Sequence, residues 1–216
     1  EFSYNKIAEA YEPYLGLIRQ MFHKYCSGTL EEFMEECDVY KLQRPVFESY
    51  FEKGFCERTE QILIDEVEYE QERMRNSIVT MLQKLSEIRP VVIVLNRFQL
   101  ASKSTMQLSN SLLQVKNKNI GIVLGVNDVQ SIPEFAHEEW DAICESMDDR
   151  NMVYHIGNAG RNMEPDVMDY YSDYESDDGY RKLNNLVYFL DFDQADHHLS
   201  KIERRIKFDR ICADTV

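Results

Sequence analysis

Apolar residues recur along this chain first at helical and then at strand spacing, and each change of period marks an element. Tyr14, Leu15, Leu17, Ile18, Met21, Phe22 and Tyr25 build one broad helical face, with Pro13 in the first turn and Gly28 as the stop. Thr29-Leu30-Glu31-Glu32 has the S/T-x-x-E capping-box form, which predicts a second helix to about Tyr40. Arg44-Pro45 breaks the pattern, and a third helix is expected over 46–55. Between 57 and 88, Ile62, Ile64, Val67, Met74, Ile78, Met81, Leu82 and Leu85 stand three and four apart. That run predicts one long helix or two collinear ones.

The period then changes. Residues 91–95 are continuously apolar and mostly β-branched, as expected of a strand buried on both faces of a parallel sheet, and 120–126 is a second such run. Met106, Leu108, Leu112 and Leu113 between them predict a crossover helix over 104–115, so the two strands form a right-handed βαβ unit. Pro133 opens a further amphipathic helix bearing Phe135, Ala136, Trp140, Ile143 and Met147, and 151–156 resembles a third strand. The expected fold class is therefore α/β, part of a doubly wound, three-layer parallel sheet with many helices. That domain is expected over 1–157, an acidic, Tyr-rich linker over 158–179, and over 180–216 a helical hairpin with its break near 191–193. The hairpin would suit the first unit of a helical repeat or a lid region.

Composition narrows the functions. With 216 residues and 44% hydrophobic content the chain has enough apolar material for a packed core. A net charge of −15 and a pI near 4.8 repel duplex nucleic acid and anionic membranes, so neither is an expected partner. KIERRIK at 201–207 reads as a solvated helix face. Cys26, Cys37, Cys56, Cys144 and Cys212 form an odd set without a CxxC pair, which argues against a disulfide framework or a zinc knuckle and for a reducing, cytoplasmic setting. No apolar run approaches the roughly 20 residues that span a bilayer. The opening EFSYNKIAEAY, without an initiator Met, is expected of a piece of a longer protein.

Candidate chemistry centres on the strand at 91–95 and the polar turn after it. A P-loop needs G-x-x-x-x-G-K-[ST], and no glycine here has that company; Gly157 and Gly160 make the nearest glycine-rich turn, without a Lys. Asn127-Asp128, after the second strand, reads either as an Asx turn or as a sensing position at the carboxyl edge of the sheet. His197-His198 points two adjacent side chains about 100° apart on a helix, which favours an exposed face over a metal pair. The serines at 102, 104, 109 and 111 lack a nucleophile elbow, and helix capping accounts for Ser102 or Ser104. The acidic run at 164–178 lacks EF-hand spacing and reads as solvated. No catalytic residue and no metal ligand is assigned.

Strand, polar turn, helix, strand, polar turn resembles the Walker B and sensor 1 segments of AAA/STAND-type P-loop ATPases, over about 150 residues. YEPYLGLIRQMF at 11–22 looks like the aromatic-x-Pro-aromatic segment of that family, VVIVLNRFQLAS at 91–102 like its Walker B strand, and IGIVLGVND at 120–128 like its sensor strand. IPEFAHEEW at 132–140 is similar to starts found in bacterial multidomain regulators that join this ATPase to tetratricopeptide repeats and a signalling output domain. Against the family form, Asn96 and Arg97 take the two acidic positions, Leu100 the Trp and Ser102 the final Asp, while Gln99 and Ala101 keep the family's letters. The resemblance implies a P-loop NTPase-like fold in which Asn96, Arg97 and Asn127 are vestigial nucleotide-site positions. It implies no cofactor in this chain, ATP with Mg²⁺ in an intact parent, and as partners the parent's other domains and proteins met through the helical region. A nucleotide-independent interaction scaffold and an enzyme with an unrecognised pocket are the alternatives.

Overall fold

A computed structural model describes residues 8–56, 67–115, 117–127, 132–148 and 177–213. Chain entry is set by Tyr11, which takes a left-handed backbone (φ 55°), and by a cis Glu12–Pro13 peptide; helix α1, Tyr14–Tyr25, then buries Tyr14, Leu15, Ile18, Met21 and Phe22. It ends at an extended Cys26, before Gly28. Helix α2, Leu30–Glu36, opens with both capping-box bonds, since Thr29 Oγ1 accepts from the Glu32 N–H and the Glu32 side chain accepts from the Thr29 N–H. It stops short of Tyr40 because Asp38 turns left-handed (φ 53°). Helix α3, Arg44–Lys53, carries Pro45 inside its first turn, where no N–H is needed, so the expected break is a start. Gly54, at φ 79°, supplies its left-handed C-cap.

Helix α4, Val67–Ile88, buries Met74, Ile78, Met81, Leu82 and Leu85; the earlier part of the expected run, 57–66, lies outside the described residues. Arg89 and Pro90 then lead into strand β1, Val91–Asn96, and helix α5, Lys103–Gln114, returns the chain to strand β2, Ile120–Gly125. The strands pair in parallel from Val91↔Ile120 to Asn96↔Gly125. One 3-10 turn, Glu134–Ala136, precedes helix α6, His137–Asp148, which packs beside α5. Helices α7, Asp177–Tyr188, and α8, Phe192–Ala213, complete the chain, with the break near the expected 191–193.

The molecule is thus mixed α/β and mostly helical, with eight α-helices and a two-stranded parallel sheet among the described residues. The third strand expected over 151–156 and the linker before residue 177 lie outside them. One expectation is corrected: β1 is buried on one face, not two. Ile93 and Leu95 join the core that holds Met106, Leu108 and Leu112 of α5, whereas Val92 and Val94 are 74% and 56% exposed. Paired residues of a parallel ladder share a face, so Gly121, Val123 and Gly125 belong to that open side, and Val123 is 52% exposed. The physical reason is that the described helices cover only the inner face. Where α7 meets α8, Leu186 and Phe189 enter the same core; the Phe189 ring lies 6.1 Å from Tyr11, 5.8 Å from Phe47 and 5.6 Å from Tyr50.

Candidate functional site

At the carboxyl edge of the sheet, β1 hands the chain to a tight turn. Arg97 adopts a left-handed backbone (φ 57°, ψ 45°), which swings the chain out of the ladder into the 3-10 turn Phe98–Leu100. Phe98 is fully buried, its ring 6.4 Å from that of Trp140. Gln99 is 1% exposed, and its Oε1 accepts from the Asn127 N–H at 3.4 Å. The turns that follow β1 and β2 are therefore tied to each other.

Asn96 is exposed and pairs in register with Gly125; a Cβ at Gly125 would stand 3.1 Å from Asn96 Oδ1, so the glycine makes room for the amide. The structure thus brings the three sequence-predicted residues to one edge, with Asn96 and Arg97 ending one strand and the exposed Asn127 following the other. Among the described residues the edge offers an amide and a guanidinium but no carboxylate. In fact residues 89–127 contain no Asp or Glu at all, and their charges come from Arg89, Arg97, Lys103, Lys116 and Lys118. Within residues 89–127 a Mg²⁺ ion or an attacking water would find no carboxylate to anchor it. Gln99's tie was missed from sequence, because no local pattern reveals which turn a buried amide will reach.

A second polar cluster forms where α5 begins. Ser102 is its N-cap, accepting from the Thr105 N–H at 3.2 Å and donating to the Glu9 carbonyl at 2.9 Å. Asp191, 4% exposed, caps two helices at once: Oδ2 accepts from the Ser104 N–H of α5 at 3.0 Å and Oδ1 from the Gln194 N–H of α8 at 3.4 Å. Burial pushes its carboxyl above the ordinary aspartate value, against the pull of those hydrogen bonds. Lys103 Nζ lies 2.7 Å from Asp193 and 3.7 Å from Glu139, which pins the same corner from outside. Glu12, also raised by burial, accepts the Tyr50 hydroxyl. These groups hold helices together.

The histidine pair departs from expectation. His198 is 4% exposed, and its Nε2 sits 2.9 Å from Gln194 Nε2. With the amide nitrogen as donor, the imidazole accepts and is neutral, while Gln194 Oε1 is left buried without a hydrogen-bond partner. Burial accordingly pushes the imidazole down to about 3. Among the described residues, no three His, Cys, Asp or Glu side chains stand close enough to hold a metal ion. A cleft of about 260 Å³ between α4, α5 and α6 is lined by Arg75, Gln107, Asn110 and Glu139, and none of Asn96, Arg97 or Asn127 reaches it. Its small volume and polar lining do not suit a nucleoside. The thiols of Cys37 and Cys56 are both pushed up to about 12 by burial, which leaves them poor nucleophiles. Among the described residues, no helix is long and apolar enough to cross a membrane.

Comparisons with protein-family models, curated proteins and solved structures return no match to this chain.

Proposed function

We propose that this chain is a non-catalytic part of an AAA/STAND-like regulatory ATPase domain, in which β1 and β2 belong to a larger doubly wound, three-layer sheet and nucleotide state, where it acts at all, is a switch. The observation that carries the reading is the parallel β1–α5–β2 unit whose two polar turns meet through Gln99 at the carboxyl edge, where ligands of open α/β sheets collect. Asn96 in place of an acid separates this edge from a hydrolytic one, because an amide neither carries the charge that anchors Mg²⁺ nor takes a proton from water. Asn96, Arg97 and Asn127 then mark a nucleotide edge that has lost turnover. A cytoplasmic regulator with further domains fits the same reading.

Titration of the chain with Mg-ATP by calorimetry, with phosphate release followed in parallel, tests it. Neither binding nor turnover is expected. Micromolar affinity lost on Arg97→Ala, or measurable hydrolysis, would mean a complete phosphate site and sink the proposal. The reading also expects a G-x-x-x-x-G-K-[ST] motif encoded upstream of Glu1. A reading frame without one leaves the second reading, a nucleotide-independent interaction scaffold, which the open apolar face of the sheet favours.

A further inference from the structure

The outer face of β1–β2 is built as a smooth aliphatic platform. Val92 lies over Gly121, where a Cβ would stand 3.5 Å from its Cγ2; Val94 stands beside Val123; and Asn96 lies across Gly125. Three β-branched residues more than half exposed on so small a surface are unusual, because parallel strands are ordinarily covered on both faces. Two strands about 4.8 Å apart present a width of about 10 Å, the diameter of one α-helix. Glycines at alternate outer positions of β2 let a helix approach closely. One helix therefore fits the platform.

Charge says which kind. All 39 acidic residues of the chain lie outside residues 89–127. Lys118, exposed, stands just before β2 and Arg97, half-buried, just after β1, while the Arg89 guanidinium before β1 lies 5.6 Å from the Tyr25 ring of α1; the sheet's two ends thus carry cations in an otherwise acidic molecule. A second copy docked face to face would set these cations against their own kind, and a basic helix would meet the same repulsion. We propose that the outer face of the β1–β2 sheet, centred on Val92, Val94 and Val123, is a docking surface for an amphipathic helix of a partner protein whose apolar stripe is flanked by Glu or Asp. The valines supply the buried area and the flanking cations select the partner's charge. The surface acts without nucleotide and rests on the scaffold reading, because the three-layer sheet of the ATPase reading would cover this face with a helix of the same protein.

The probe is a fluorescein-labelled synthetic helix with a Leu/Ala stripe flanked by Glu, with a Lys-flanked twin of the same stripe, titrated by anisotropy against the whole chain. Saturable binding of the Glu helix is expected, at least about tenfold tighter than the twin and weakened at least about tenfold by Val94→Asp. Lys118→Glu should weaken the Glu helix and not the twin. Val123→Thr, which keeps the strand's shape, should weaken both, and circular dichroism confirms that each variant is folded. Absence of saturation, equal affinity for the two helices, or a folded Val94→Asp that binds unchanged overturns the proposal. So does sedimentation of the free chain as a dimer that Val94→Asp dissociates, since the face would then be covered by a second copy.

Discussion

Asp191 shows how much one side chain can do when two helix N-termini meet. A helix start leaves backbone N–H groups without partners, and here a single carboxylate serves α5 through Ser104 and α8 through Gln194. Asp191→Ala leaves both donors buried and bare, and about 2 kcal/mol of destabilisation is expected, near the sum of two ordinary caps. Asp191→Asn retains one acceptor oxygen and removes the cost of burying a charge, so it should lose less. Urea midpoints for the three proteins decide the matter; an alanine variant within about 0.5 kcal/mol of the parent would show that water replaces the carboxylate. Asp191-Phe192-Asp193-Gln194 has the D-x-x-Q form of a helix N-cap, so its bond to α8 is local, but nothing in the local sequence marks its bond to α5. Its importance comes from Ser104, far away in the chain, and only the fold makes them neighbours.

Elements with local causes were readable. The capping box at Thr29, the apolar stripes of α1 and α4, and the β-branched run that became β1 all draw on neighbours within a turn or two, and all lie close to where they were expected. Burial of β1 was misjudged because an apolar run states preference, while coverage depends on what else packs there. The C-terminus of α7 carries no glycine signal: Leu190 takes the left-handed position (φ 63°), and the bonds Asp191 N–H to Leu186 O and Leu190 N–H to Val187 O close a Schellman motif. The tie of Asp191 to α5 and α8 helps hold that conformation. Of the candidate site, the strand ends were legible from their run-and-turn pattern, and the Gln99 link was not. Because Phe189 sits among Tyr11, Phe47 and Tyr50, Phe189→Ala should cost about 3–5 kcal/mol and lower the midpoint of one common transition. Two separate transitions in the parent protein, of which only the later residues respond, would show α7–α8 to be an independent unit.

At the scale of the whole molecule, pH dependence sets buried groups of opposite sign against each other. Asp191 and Glu12 have raised values in the fold, so their contribution is fully present below the unfolded values of 3.8 and 4.5 and is lost as pH rises through the folded ones. A net charge of −15 adds self-repulsion that mild acidification relieves. His198 works the other way. Its value falls from 6.5 to about 3, so its contribution is present above pH 6.5 and is lost as pH falls toward about 3, where protonation fills the lone pair that accepts from Gln194. On acidification the relief of net charge and, below their raised values, the two carboxyls favour the acid side, while His198 resists below pH 6.5. His198→Gln removes the resisting group and keeps a polar side chain in its place. The variant's urea midpoint should climb as pH drops from 7 to 5, while that of the parent climbs less or falls. Parallel profiles for the two proteins would mean that His198 is not held neutral by its burial and does not oppose the carboxyls.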